Sequence, residues 1–227
     1  MFEFIIDYYP MLLKGTGITV LLAALTVLFG TLIGVLISIT RFNQNGIVGK
    51  GLNKLADIYI AFFRGTPLMI QLFIFWFGIP QILHIRMKPV GPIPAEFIVG
   101  AIALAINSGA YVAEILRAGI QAVDKGQMEA GRSLGLSEKQ TLKHVILPQA
   151  IKNILPALGN EFIVIIKESA IVSVIGLADL MYNADKVTAA TFNAFGVYIV
   201  AALIYFVLTS VCSKLVSSFE RRLHQDA

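Results

Sequence analysis

The stretch Glu129–Pro148, EAGRSLGLSEKQTLKHVILP, decides the reading of this chain. It is a polar island set between long apolar segments. Asp124 with Gln127, and Ser137 with Gln140, each fit a capping box at a helix start. Gly135 stands where a residue in the left-handed conformation would end the first short helix. Pro148 is then expected to stop the second. The spacing therefore predicts a short helix, a glycine turn and another short helix. Ala130 and Gly131 carry almost no side chain, so that face is expected to admit the close approach of another protein. An ordinary amphipathic loop lying on a bilayer has no use for Glu129, Gly131 and Gly135.

What flanks the island is solvated by lipid. Of 227 residues, 57% are hydrophobic and only 14% are charged, against about 25% charged in soluble domains. The mean hydropathy is +0.78. Gly15–Thr40 contains no charge and is too long for the apolar region of a signal peptide, and the N-terminus MFEFIIDYYPM has no basic segment before it. Five segments reach the length of about 20 residues needed to cross the hydrocarbon core. They are about Gly17–Thr40, Asp57–Leu83 (interrupted by Arg64-Gly65-Thr66-Pro67), Ala95–Val123, Ala150–Leu177 and a stretch within Val187–Ser213. Residues 1–227 read as one all-α membrane domain without repeat or linker. The Pro- and Gly-rich MKPVGPIP within His84–Glu96 suits a short rigid connector.

Charge sets the expected orientation. Arg41, Lys50, Lys54, Lys125, Arg132, Lys139, Lys143, Lys214, Arg221 and Arg222 fall on one side of a five-span arrangement. Lys14, Arg86, Lys88 and Lys186 fall on the other. The excess of basic residues marks the cytoplasmic side, so the N-terminus is expected outside and the C-terminus inside. The same clustering explains the net charge of +4 without invoking nucleic acid.

Other chemistries are not called for. GIVGKG at Gly46–Gly51 has the wrong spacing for a phosphate loop and reads as a flexible turn. His84, His144 and His224 lie in unrelated loops or tails, so no metal site is expected. The lone Cys212 reads as a small packing residue. No nucleophile–base arrangement suggests an enzyme.

The island also follows the spacing E-A-A-x3-G-x9-I-x-L-P through Glu129, Ala130, Gly135, Leu147 and Pro148, with Gly131 for the second Ala and Val145 for Ile. This resembles the cytoplasmic coupling loop of ABC importer permeases. FRGTPLMIQL at Phe63–Leu72, SGAYVAEILRAGI at Ser108–Ile120 and LPALGNEFIVIIKESAIVSVIG at Leu155–Gly176 are similar to spans of the permeases for polar amino acids, of the histidine and glutamine type. Glu168-Ser169-Ala170 departs from the Thr-Ser pair usual there. The resemblance implies a type I importer fold with five transmembrane helices and a coupling loop. It implies a dimer with a second copy or a related permease, two ATPase subunits that bind ATP and magnesium, and an external solute-binding protein. No cofactor is expected on this chain itself. The function implied is import of polar amino acids, basic ones included, by alternating access. The alternatives are another small polar solute on the same machinery, or an ion-coupled secondary transporter, which would leave the loop unexplained.

Polar side chains inside the apolar segments are the candidate substrate site, because ionisable groups there cost several kcal/mol and persist mainly for function. Glu161 lies about 20 Å beyond Pro148 along a continuous helix. It is expected to be the principal contact, binding a substrate ammonium, with Asn160 beside it. Thr66, Gln71, Asn107, Ser108 and Tyr111 fall at similar depth on two other helices. The break at Gly65–Pro67 frees backbone groups that could also serve. The competing role for all of these is bonding between helices. Arg64, Glu114, Arg117, Lys167 and Glu168 form a candidate gate or ion-pair network. Glu114 and Arg117 are three residues apart on one helix face, whereas the neighbours Lys167 and Glu168 are expected to have separate partners.

Overall fold

The computed structural model describes residues 2–42 and 46–225. Helix α1 (Phe4–Phe42) runs unbroken through the uncharged segment. It is followed by α2 (Gly46–Gly65), α3 (Leu68–Phe73), a wide π turn at Ile74–Gly78 and α4 (Ile79–Leu83). Helix α5 (Ala95–Gln121) leads into the island helices α6 (Lys125–Ser133) and α7 (Glu138–Thr141). A second π turn, Leu142–Ile146, passes into α8 (Leu147–Glu168). A tight 3-10 segment, Ser169–Ile175, precedes α9 (Leu180–Thr191) and α10 (Ala194–Gln225). The only sheet-like pairing among the described residues is the bridge Val90–Ile93, which pins the connector around Gly91.

Glycine allows α1 and α5 to pack in parallel at close range. Gly30 and Gly34 lie one turn apart. A Cβ on Gly30 would come within 2.9 Å of the Ser108 Cβ, and one on Gly34 within 2.6 Å of the Val112 Cγ1. This is the small-residue spacing that brings membrane helices together. Helix α8 runs against α5: Ser108 faces Glu161, and Gly119 further along α5 meets Ile154. Helix α10 runs against α8, with Gly159 on Val216 and Ile165 in a cluster with Leu208 and Cys212. The last turns of α1, α5 and α10 and the first turn of α8 therefore share one end of the bundle, and the island hangs from that end. The opposite end is closed by a cluster of Phe4, Leu12, Leu180, Val187 and Val197.

Several boundaries differ from the sequence expectation. Helices Phe4–Arg41, Ala95–Gln121 and Ala194–Leu223 are each long and apolar enough to cross a membrane. The second expected span is two helical pieces, Val48–Gly65 and Leu68–Leu83, bent by 108°. The helix of the fourth expected span, α8, ends at Glu168, and the chain turns sharply at Gly176, whose φ of 92° is left-handed. The fifth begins at Ala194 because Phe192 breaks the chain with a φ of 52°. Pro148 does not stop a helix. The Leu147 N–H reaches back five residues to the Leu142 carbonyl, and the wide turn makes room for the proline ring where an ordinary turn would clash. Gly46–Gly51 is the first part of α2, not a flexible turn.

Candidate functional site

The break before α3 explains one polar cluster. In an unbroken helix the Phe63 carbonyl would accept the N–H of residue 67, but Pro67 has none. Side chains satisfy it instead. Gln71 Nε2 donates to the Phe63 carbonyl at 2.9 Å, to the Thr66 carbonyl at 3.0 Å and to Thr66 Oγ1 at 2.9 Å. Asn107 Nδ2, from α5, donates to the same Phe63 carbonyl at 3.1 Å and to Gln71 Oε1 at 2.8 Å. Gln71 and Asn107 are buried. The expected convergence of Thr66, Gln71 and Asn107 is present, and the freed carbonyls of Phe63 and Thr66 are consumed inside the chain. Tyr59 adds a further link between α2 and α5, donating to the Ile106 carbonyl at 2.5 Å.

One residue on, Ser108 points to a different neighbour. Its Oγ donates to Glu161 Oε1 at 2.8 Å, and the two residues are 0% and 7% exposed. Glu161 is thus committed to a contact between α5 and α8 within this chain. The neighbouring positions look elsewhere. Asn160, Lys167 and Glu168 are exposed, and Val164 is half-buried. Asn160, Val164, Lys167 and Glu168 recur at helical spacing, so they share one open face of α8.

The charged candidates divide into two places. Arg117 bonds Glu114 through both Nε and Nη2, and Arg41 Nη1 lies 3.7 Å from the other Glu114 oxygen. Arg41 Nη2 also pairs with Asp57 at 2.7 Å. Arg41 of α1 is therefore the link between Asp57 of α2 and Glu114 of α5 near the island end of the bundle. Arg64 lies with its guanidinium 5.5 Å from the centre of the Tyr111 ring, a cation–π distance. Lys167 and Glu168 are not in this network. They belong to the far end of α8.

The island folds as two short helices around Gly135, whose φ is +84°. Ser137 and Gln140 form the full capping box. Asp124 caps α6 by accepting from the Gly126 N–H, while the Gln127 side chain turns to Gln149 at 3.4 Å instead of completing a box. Gly131 is buried, and a Cβ there would come within 2.4 Å of Thr141 Cγ2. Its missing side chain thus serves the packing of α6 on α7, which corrects the expectation that it leaves room for a partner. Glu129, Ala130 and Pro148 are exposed and Leu147 is half-buried.

Four residues carry roles that the sequence reading missed. Leu134, just before the glycine turn, is 83% exposed. It follows α6 immediately and belongs to none of the bundle's apolar clusters among the described residues. Arg41 and Asp57 extend the Glu114–Arg117 pair across three helices, and nothing local in the sequence shows it. Asp179 is fully buried at the N-cap of α9. Its signal was an acid in the otherwise apolar run VIGLADLMY.

Comparison with known proteins places this architecture. Residues 30–225 match the family described as binding-protein-dependent transport system inner membrane component. A Rickettsia bellii protein named as a putative glutamine transport system permease is 44% identical over 226 residues, covering 98% of this chain and 99% of the relative. A Bacillus subtilis protein named as an arginine transport system permease is 40% identical over 222 residues, covering 98% and 96%. A crystal structure described as an amino acid ABC transporter with histidines superposes with a TM-score of 0.89 at 50% identity, covering 98% of each chain. The methionine ABC transporter MetNI, in an inward-facing form, shares the fold at a TM-score of 0.77 and 18% identity, covering 98% of this chain and 99% of that one. The chain is all-helical, of the type I ABC importer kind, and belongs to the family of binding-protein-dependent transport system inner membrane components, transport subunits rather than enzymes.

Proposed function

We propose that this chain is the membrane-spanning subunit of an ATP-driven importer for polar amino acids, taking substrate from an external binding protein and releasing it into the cytoplasm by alternating access. The observation that carries this reading is the island. Two capped short helices, rigidified by the Gly131–Thr141 contact, hold an exposed Leu134 beyond the end of the bundle. A large apolar side chain held out in solvent on a rigid support gains free energy by entering a pocket on a partner. The partner is a separate ATPase dimer carrying ATP and magnesium. Glu129, Ala130, Gly135, Leu147 and Pro148 complete the docking region, with Gly131 supporting it from inside.

The N-terminus is outside, the C-terminus is cytoplasmic, and five spans cross the cell membrane if the bent pair α2–α4 and helix α8 each count as one. The other half of the pathway comes from a second copy or a related permease. Substrate meets the open face of α8, where Asn160 and Glu168 offer an amide and a carboxylate to an amino acid's polar ends. Tyr111 and Arg64 are exposed as well. Glu161, Ser108, Thr66, Gln71 and Asn107 stand behind that face as the support that fixes the helices. An exposed acid there favours a substrate with a cationic side chain.

Co-purification tests the docking. Leu134→Asp is expected to leave the bundle folded and to lose the ATPase subunit. Retention of a functional ATPase with Leu134→Asp removes the anchor role.

A further inference from the structure

Asp179 sits where three helices meet, and no part of the transport reading uses it. It is 0% exposed. One carboxyl oxygen accepts the Tyr182 N–H at 2.9 Å as the N-cap of α9. The other, Oδ2, is buried without a hydrogen-bond partner, and so is the Tyr205 hydroxyl of α10. From α1, Thr19 Oγ1 accepts the Leu180 N–H at 3.2 Å. Gly15 presses so close that a Cβ would come within 2.6 Å of the Asp179 carbonyl. Helices α1 and α9 are therefore locked together at the backbone of Asp179 and Leu180, with the Tyr205 phenol of α10 within electrostatic reach of the carboxyl.

The surroundings offer that carboxyl little reason to stay ionised. No salt bridge reaches it among the described residues. From α9 the nearby charge is Asp185, of like sign; Lys186 of the same helix lies over the Tyr182 ring, 4.9 Å from its centre. From α1 the titratable residue nearest in sequence to Gly15 and Thr19 is Lys14, which is exposed. From α10 the groups are the Tyr205 and Tyr198 phenols, and Tyr198 bonds Asp185 at 2.9 Å. Burial and the like charge of Asp185 oppose ionisation, and the backbone N–H groups at the start of α9, led by Tyr182 and Met181, offset them only in part.

We propose that Asp179, with the hydroxyls of Thr19 and Tyr205, is a proton-binding latch at the external end of the bundle, tight when the carboxyl is neutral and loosened when it ionises. The orientation proposed above makes this end external, and the latch works the same way whichever side it faces. Protonation removes from this buried junction a charge that no salt bridge among the described residues neutralises. Burial pushes the group up from 3.8 to about 6, within the range of pH outside cells. The folded junction then holds the proton more tightly than an opened one, so its stability falls as pH rises from 3.8 to about 6 and levels off above. The latch lies just beyond the segment Ser169–Ile175 that follows Glu168, so its opening would free the outer end of the proposed substrate helix.

The test is hydrogen exchange at the start of α9 in the intact membrane complex in lipid nanodiscs, corrected for intrinsic pH dependence. The wild type is expected to lose protection by on the order of 100-fold between about pH 4 and about pH 6.5. Asp179→Asn and Asp179→Ser, the second keeping an N-cap oxygen, are expected to flatten that course. An identical pH course in wild type and variants overturns the latch. Should neither variant assemble, infrared titration of the wild type decides: a carboxylic acid band lost near pH 6 supports the latch, and its absence overturns it.

Discussion

Glu161→Gln and Glu161→Ala together separate a helix pin from a substrate ligand. The Ser108 hydroxyl donates to Glu161 Oε1 at 2.8 Å, and glutamine keeps an oxygen at that place. If the carboxylate only pins α5 to α8, the Gln variant retains a neutral hydrogen bond and loses at most about 1 kcal/mol. Alanine leaves the Ser108 hydroxyl buried without its acceptor, at about 1–3 kcal/mol, and opens a cavity whose cost adds roughly 1–2 kcal/mol more. The Ala variant should thus lose about 2–5 kcal/mol of stability while Gln stays near wild type. The assay is thermal unfolding of the purified complex in parallel with direct binding of labelled amino acid to the membrane domain, without the external binding protein. A ligand bound through the charge predicts another pattern. Glu161→Gln would then cost about 1.5–3 kcal/mol of affinity, roughly 10- to 150-fold, with little change in stability. That pattern would refute the pin and restore Glu161 as the principal contact.

Other perturbations follow from the same geometry. Gly131→Ala should overpack the α6–α7 contact by about 1–3 kcal/mol and weaken ATPase co-purification, and the double variant with Thr141→Ala should recover part of both; no recovery would place the Gly131 face on the partner. Asn107→Leu should destabilise the α2–α5 junction by about 1–3 kcal/mol, measured by unfolding, because Gln71 Oε1 loses its donor; an unchanged unfolding curve would contradict the bracing role given to Asn107. Glu168→Gln should weaken binding of a cationic amino acid by about tenfold and spare a neutral one, and equal effects on both would remove charge selection from the α8 face. A reporter after Ala227 should be cytoplasmic and one near Pro92 external, and finding both on one side would refute the orientation.

The parts of this fold that depend on local chemistry could be read from the sequence. The Ser137–Gln140 box and the left-handed Gly135 are local hydrogen-bond and backbone-strain problems, and they stand as expected. The Glu114–Arg117 pair follows from helical spacing alone. The convergence of Gln71 and Asn107 was visible as depth, but its use was not. Knowing that Pro67 orphans the Phe63 carbonyl is not enough; its replacement donors depend on which helix stands opposite. Gly131 was misread for a similar reason: a small residue shows that something approaches, not whether it belongs to the same chain. The Gly30–Gly34 spacing carried the α1–α5 contact in plain view. Pro148 was misread because a π turn lets a proline continue a helix that an ordinary turn would break.

In the function proposed here, this chain moves amino acids with energy delivered through the island. Its direct test is uptake of labelled arginine and glutamine into proteoliposomes containing this chain, its ATPase and its binding protein, with and without ATP, for wild type and Leu134→Asp. Accumulation should require ATP and the binding protein, and Leu134→Asp should abolish it even though the membrane domain still binds substrate. Uptake driven by a proton gradient without ATP, or ATP-driven uptake unchanged by Leu134→Asp, would contradict it.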